Sequence, residues 1–240
     1  MNVSLVVAGH AHAAALGAPA AKPGVAASRV VLSARDMTLS AIAGDPDSED
    51  YWEALAAASA DAVPAIVWQG NQHLDRFLIE PFPPLDFVLS TAPTLPLDPR
   101  ASYVSEGQLR AVFAPSIAPL RSVLAGLADT GVHALVAGTP PPFRDEAQTR
   151  AAMPGLTEDQ RLSSPFTLQK LWSLLQAMVA EVTGEAGATF VAVPDRVRDD
   201  EGFLREEYRA DARHANAAFG TEMLVELAAA ARILPSSDRT

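Results

Sequence analysis

Short apolar runs alternate along this chain with longer segments in which apolar residues recur every three or four positions. The first run, Val3 to Val7, ends at Gly9, where an alanine-rich segment begins. A short apolar run closed by glycine is typical of a strand that turns into a helix. Similar runs predict further strands at residues 29–33, 63–68, 132–137 and 188–193.

Helical spacing predicts the elements between these strands. Ser105 to Gln108 has the form of a capping box and opens a helix, which Pro115 and Pro119 are expected to break. Ser164 and Pro165 begin the helix with the strongest apolar face. Further helices are predicted at 51–60, around 120–127 and at 215–233, with irregular helix within 144–162 and a loop at 44–50.

Strands that alternate with helices in this way predict an α/β fold. Its central sheet is mostly parallel and covered on both faces. The first strand of such a sheet usually lies centrally, and ligands collect beyond the carboxyl ends of its strands. We therefore expect chemistry at residues 9–12. Six prolines between Pro81 and Pro99 predict a surface excursion, a candidate lid, with a short edge strand at Asp86 to Ser90.

Composition narrows the function without naming it. The 240 residues are 49% apolar and carry a net charge of −11, with no cysteine. One domain, 1–240, is expected, with the proline-rich excursion at about 74–104. The charge disfavours nucleic acid as a partner. No basic or apolar leader follows Met1, and no uninterrupted apolar run reaches 18 residues, so we expect a cytoplasmic protein with no membrane partner and no disulfide or thiolate chemistry. The oligomeric state stays open.

Three loops that follow strands carry polar side chains suited to catalysis. They are Gly9-His10-Ala11-His12, Gly70-Asn71-Gln72-His73 and the segment from Asp211 to Asn216. Asp211 stands three residues before His214, so its carboxylate can fold back onto the imidazole and make that ring a general base. The alternative is a helix N-cap region with a solvated histidine. Asn71 can donate to an oxyanion, or can simply occupy a turn.

In this order, the three loops resemble the SGNH (GDSL-like) hydrolase family over nearly the whole chain. The segment from Gly202 through Tyr208 into Asp211-x-x-His214 also resembles the C-terminal block of that family. The resemblance implies a flavodoxin-like three-layer α/β/α sandwich and a Ser-His-Asp triad that hydrolyses esters without a cofactor. It implies that His214 and Asp211 are catalytic, and that the backbone at Ala11, Asn71 and a further glycine form the oxyanion hole.

The chain departs from the family pattern at two places. Gly70 and Asn71 are adjacent, where the family has a residue between them, and His73 is a possible substitute donor. Ala11 occupies the nucleophile position and has no lone pair with which to attack a carbonyl. Loss of the nucleophile costs about 10⁶-fold in turnover in serine proteases. Ala11 is either an engineered replacement of serine or natural in a relative that only binds; retention of the Asp-His pair favours the former.

The remaining candidates are expected to shape the pocket. Gly44, the glycine after the second predicted strand, is the candidate third oxyanion donor, with a plain loop glycine as the alternative. Trp68 is expected to pack in the core. The substrate, a small acetyl or short acyl ester and possibly a sugar ester, is expected to meet the side chains and backbone at His10, His12, Gly70, His73, Thr139 and Phe82.

A metal-dependent hydrolase is the main competing interpretation. His10, His12 and His73 with Asp211 or His214 could surround zinc or manganese. The Gly-His-x-His and Gly-Asn-x-x-His blocks resemble those of calcineurin-like phosphoesterases, but their order differs from that family and its aspartate blocks are missing. We therefore expect no metal. A non-catalytic module of the same fold that binds acyl or sugar groups is the second alternative.

Overall fold

The computed structural model describes residues 3–32, 37–153 and 155–234. Eight strands lie in these residues: β1 (Val3–Gly9), β2 (Ser28–Leu32), β3 (Met37–Ala43), β4 (Val63–Val67), β5 (Leu85–Asp86), β6 (Ser102–Tyr103), β7 (Leu135–Ala137) and β8 (Thr189–Val191). Six of them form the main sheet in the order β2-β3-β1-β4-β7-β8. All its neighbours pair in parallel except β2 and β3. The expected mostly parallel sheet with an interior first strand is confirmed.

Helices cover both faces of this sheet. They are α1 (Glu49–Ala58), α2 (Gln72–Phe77), α3 (Glu106–Asp129), α4 (Glu146–Ala151), α5 (Pro165–Glu185) and α6 (Ala217–Ile233), with 3₁₀ segments at Ala11–Leu16, Asp195–Val197 and Glu206–Tyr208. Because side chains alternate along a strand, Val6 and Ala8 of β1 pack with α1, α3 and α5, whereas Leu5 and Val7 pack with α6. The result is a three-layer α/β/α sandwich.

β3 is a strand of the main sheet that the hydrophobic pattern did not reveal. β3 pairs in parallel with β1 on one side and antiparallel with β2, the edge strand, on the other. β2 is the strand predicted at 29–33, of which Ser33 lies outside the described residues. Ser40 breaks the run of apolar residues within β3; it is buried and accepts a hydrogen bond from Arg29 Nε at 3.0 Å. The strand therefore lacks a continuous apolar run, and Gly44 directly follows it rather than standing in a long loop.

The prediction that Pro115 and Pro119 break a helix is wrong. α3 runs continuously through both prolines and begins with the expected capping box at Ser105. A proline inside a helix costs about 3 kcal/mol, whereas each buried large apolar side chain contributes about 1.5–3 kcal/mol. The burial of the apolar face of α3 therefore outweighs the cost of the two prolines. The buried residues of this face are Leu109, Phe113, Ile117, Leu120, Leu124 and Leu127.

Length and composition alone would also allow α3 to cross a membrane. Within the described residues it is the one helix of this kind, with a mean hydropathy of 1.5 over its most apolar 18-residue window. Core helices meet the same criterion, and the buried stripe of α3 belongs to the apolar core that it shares with the sheet, α1 and α5.

The proline-rich segment is anchored to the body of the protein rather than lying loosely on its surface. Its short strand, β5, pairs with β6 in a separate two-stranded sheet and not with the edge of the main sheet, so the predicted edge strand is corrected. Asp86 and Phe87 are fully buried, and Lys170 Nζ of α5 lies 2.6 Å from Asp86 Oδ1. A buried ion pair and a buried ring attach this segment to α5.

Candidate active site

The turn after β1 places Ala11 at the carboxyl edge of the sheet. Gly9 adopts a φ of +147°, and a Cβ there would lie 2.1 Å from the carbonyl oxygen of Val67. Only glycine lets β1 approach β4 this closely. His10 N donates to the same oxygen at 3.1 Å, and the 3₁₀ helix begins at Ala11. Ala11 is exposed, so the position expected to bear the nucleophile is open to solvent.

The Asp211–His214 pair forms as its spacing predicts. His214 Nδ1 lies 2.9 Å from Asp211 Oδ2, and Asp211 Oδ1 accepts from the backbone N–H groups of Arg213 at 2.7 Å and His214 at 2.9 Å. Burial acts to raise the pKa of Asp211, but these hydrogen bonds outweigh it and lower the pKa below its ordinary value. The carboxylate therefore stays ionised beside the imidazole.

The N-cap of α6 is Asn216 and not Asp211. The side chain of Asn216 accepts hydrogen bonds from the backbone N–H groups of Ala218 and Phe219. The alternative interpretation of Asp211 as a capping residue is therefore wrong, because the cap is already supplied and the carboxylate binds the loop that carries His214.

Asn71 connects His214 to the first loop. Its Nδ2 lies 3.2 Å from His214 Nε2, and its Oδ1 lies 3.0 Å from His12 Nε2. The rings of His12 and His214 have their centroids 5.3 Å apart. Residues from three distant loops thus meet at one edge of the sheet, as the sequence predicts.

His12 and His73 lie beneath the surface of the site and not on its open side. They are 3% and 1% exposed, and neither ring nitrogen of His73 makes a hydrogen bond of good geometry. Burial lowers the pKa of His12 to about 4, with the nearby His214 acting in the same direction. Burial, with the influence of His12, lowers the pKa of His73 to about 3. Both rings are neutral at neutral pH, and His73 presents no nitrogen to a ligand in the open site.

His10 lies apart from this group. Its Nδ1 accepts from Gln69 N at 3.2 Å, and its ring packs edge-on against Trp68 with centroids 4.9 Å apart. Burial lowers its pKa, although Asp47, 3.8 Å from Nε2, acts to raise it. Trp68 is buried, as expected for core packing, and donates to Ser116 O.

Of the remaining pocket candidates, Gly70, Thr139 and Gly44 lie in packed surroundings, whereas Phe82 lies in solvent. Gly70 packs closely on His12 and Thr139, and Thr139 is buried with Oγ1 accepting from Gln176 Nε2. Gly44 follows β3 at the same sheet edge and lies against the ring of Tyr51. Phe82 is completely exposed, and the structure does not bring it to the other candidates.

The grouping expected for a metal centre does not form. In the part of the chain that the structure describes, no cluster of three or more His, Asp or Glu side chains is arranged to hold a metal ion. His12 Nε2 is engaged by Asn71, and His10 is turned towards Trp68. The residues that would have had to converge therefore occupy different surroundings.

Comparisons with known proteins yield similar folds at low sequence identity. No family model and no curated protein matches the chain. A catalytic mutant of an acetylxylan esterase from Geobacillus stearothermophilus matches 96% of this chain and 95% of its own length, with a TM-score of 0.52 at 11% identity. A second mutant of that enzyme, described as an acetyl-xylooligosaccharide esterase, matches 95% of this chain and 94% of its own length, with a TM-score of 0.51 at 11% identity. A GDSL-like lipase from Bacteroides thetaiotaomicron matches 95% of this chain and 87% of its own length, with a TM-score of 0.46 at 10% identity.

This chain has the fold of the SGNH (GDSL-like) hydrolases. The three-layer sandwich implied by the sequence resemblance is confirmed. At this level of identity the likeness concerns the fold. The roles expected of Asn71, Asp211 and His214 therefore rest on the distances between them, and that of Ala11 rests on its place in the turn after β1.

Tyr51 holds the turn that bears Ala11 in place, and the sequence analysis did not recognise this role. Its hydroxyl accepts from Gly9 N at 2.8 Å and lies within hydrogen-bond distance of the carbonyl oxygens of Ile42 and Gly9. It thereby ties the turn before Ala11 to the end of β3. A tyrosine 42 residues from its partner leaves no local signal in the sequence.

Proposed function

We propose that this protein is a carboxylic ester hydrolase of the SGNH type whose nucleophile position is occupied by alanine. The observation that carries the proposal is the Asp211–His214 pair, which contacts Asn71 beside the turn that bears Ala11. The SGNH fold agrees with it. The name of the structurally similar acetylxylan esterase supports an acetyl or short acyl ester, possibly of a sugar, as the substrate.

The proposed reaction follows from the roles that the geometry allows. A serine hydroxyl at position 11 would attack the ester carbonyl while His214 Nε2 takes its proton, and Asp211 would stabilise the resulting imidazolium. The backbone N–H of residue 11 and the Asn71 amide would stabilise the oxyanion. His214 would then protonate the leaving alcohol, and water would release the acid. With Ala11 the first bond cannot form, so the chain as written binds the ester without forming an acyl-enzyme.

The test restores the nucleophile by Ala11→Ser. We expect hydrolysis of p-nitrophenyl acetate, with activity falling as the acyl chain lengthens, and covalent labelling by a fluorophosphonate that is detected by mass spectrometry. The gain should be large, since removal of a triad serine costs about 10⁶-fold in subtilisin. Acetylated xylose and acetylated xylo-oligosaccharides complete the panel of esters.

Two controls separate the proposal from its alternatives. Ala11→Ser combined with His214→Ala should lose both hydrolysis and labelling, because the hydroxyl then has no general base. If Ala11→Ser is folded by circular dichroism yet inert on the whole panel, the hydrolase assignment fails and a binding module remains. Stoichiometric zinc, manganese or iron by elemental analysis, with hydrolysis that a chelator abolishes, would instead support the metal-dependent alternative.

A further inference from the structure

Four side chains form a continuous hydrogen-bonded series from the surface of the site into the core. The series runs from Asp211 through His214 and Asn71 to His12, with contacts of 2.9, 3.2 and 3.0 Å. Its first member is about half exposed, and its last is 3% exposed. We infer that His12 is a positioning residue, which sets the orientation of the Asn71 amide and thereby aims its N–H groups at His214 and at the reacting oxygen.

The direction of every hydrogen bond in the series follows from its first member. Asp211 is ionised and can only accept, so His214 carries its proton on Nδ1. The Nε2 of a neutral His214 then offers a lone pair, to which Asn71 must present its Nδ2–H group. The Oδ1 of Asn71 consequently faces His12, and an acceptor in that position requires a proton on His12 Nε2. With Nε2 of His214 unprotonated, each partner has one orientation that satisfies the series.

His12 is suited to hold that orientation. Its surroundings are close-packed, since a Cβ on Gly70 would lie 2.6 Å from His12 Cδ2. Its Nδ1 is buried without a hydrogen-bond partner, which suits the unprotonated nitrogen of the Nε2–H tautomer. Burial keeps the ring neutral, as its pKa of about 4 indicates. A fixed neutral donor therefore faces Asn71 Oδ1.

The orientation matters because an asparagine amide has nearly the same shape after a half-turn. Without the His12 donor, Asn71 can rotate and place Oδ1 against the lone pair of His214 Nε2, where both atoms are acceptors. In the orientation that His12 enforces, one Nδ2 hydrogen meets His214 Nε2 while position 11 is alanine. A serine hydroxyl at position 11 would replace that contact on Nε2, and the Nδ2 hydrogens would then face the oxygen of a substrate. The catalytic part of this inference rests on the proposed function, whereas the orientation itself does not.

The first experiment needs no activity and uses the chain as it stands. In ¹H–¹⁵N spectra of the imidazole rings we expect His12 with its proton on Nε2 and His214 with its proton on Nδ1. His12→Phe removes both ring nitrogens and keeps an aromatic ring, and we expect it to shift the ¹⁵N signal of His214 Nε2 towards that of a nitrogen without a donor. His12→Gln can return an N–H near the original Nε2, and it should restore the signal. A His12 proton on Nδ1 in the unmodified chain would overturn the inference, whether or not His12→Phe folds.

The second experiment measures kinetics in the Ala11→Ser background. His12→Phe should lower kcat by about 10- to 100-fold, less than the 10²–10³-fold cost of losing an oxyanion donor, with KM nearly unchanged. His12→Gln should recover most of the loss. In an Asn71→Ala background His12→Phe should have no further effect on kcat, because its influence passes through Asn71. A full additional loss in that background contradicts the inference. If Ala11→Ser is inert, the proposed function fails, and the spectra still decide the role of His12.

Discussion

Gly70 shows how one residue can depend on the absence of a side chain. It adopts a φ of +117°, and a Cβ there would lie 2.6 Å from both His12 Cδ2 and Thr139 Cγ2. Gly70 also donates its N–H to Gln72 Oε1 at 2.8 Å, in the turn that leads to α2. The close approach of His12 and Thr139 at this point fixes the depth at which Asn71 is held.

We expect Gly70→Ala to lower the free energy of unfolding by about 2–4 kcal/mol, because backbone strain and overpacking both contribute. Gly126→Ala is the matched control: Gly126 lies within α3 with no atom within 4 Å of an added Cβ. That substitution should raise stability by about 0.5–1 kcal/mol. Urea unfolding measures both, and equal stability of Gly70→Ala and the parent chain would show that the packing around Gly70 is looser than described.

At the scale of elements, a buried ion pair joins the proline-rich segment to α5. Lys170 is 1% exposed and Asp86 is fully buried, and Lys170 Nζ also donates to Pro96 O at 3.0 Å. The second carboxylate oxygen of Asp86 accepts from Asp98 N at 2.8 Å. These contacts of Lys170 and Asp86 join the proline-rich segment to α5 or join two parts of that segment to each other. The ion pair therefore determines where the proline-rich segment lies on the protein.

Lys170→Met leaves the Asp86 carboxylate buried without its cation, and we expect it to cost about 3–5 kcal/mol of unfolding free energy. Adding Asp86→Asn removes that charge and should recover part of the loss. The control is Arg121→Met, which removes an exposed ion pair between Arg121 of α3 and Glu185 of α5. There the change should stay below about 1 kcal/mol. Thermal and urea unfolding compare the three variants, and a cost for Lys170→Met as small as that of the control would count against the anchoring role.

For the molecule as a whole, two buried histidines couple stability to pH. The pKa of His12 is lowered to about 4 and that of His73 to about 3, both mainly by burial. In the unfolded chain these rings bind protons near pH 6.5. Between those values the unfolded state therefore holds more protons than the folded state. The free energy of unfolding therefore decreases as the pH falls below about 6.5.

We expect the free energy of unfolding to fall between pH 6.5 and about 5, before most carboxylates begin to titrate. The limiting slope is about 1.4 kcal/mol per pH unit for each histidine that protonates only on unfolding. His73→Phe should remove one such contribution and flatten the profile. His133→Gln, at an exposed position, is the control for replacing a histidine without disturbing buried packing. Parallel profiles for His73→Phe and the parent would mean that His73 is not buried in the folded protein.

The sequence by itself determined the features that depend on local order. The alternation of apolar runs and helical spacing requires a mostly parallel sheet covered on both faces, because parallel neighbours need a crossover between them. The Asp211–His214 pair was equally predictable, since a spacing of three residues lets both side chains meet within one loop. The position of Ala11 after a glycine turn followed from the same pattern.

Only the tertiary structure decided the features that join distant residues. Asn71 meets His12 across 59 residues and His214 across 143, and no local pattern records such a contact. β3 becomes a strand through its pairing with β1 and β2 despite the buried polar Ser40 within it. α3 stays helical through two prolines because its apolar stripe is buried. Burial and pairing energies arise when segments pack together, so they can override the local preferences that the sequence expresses.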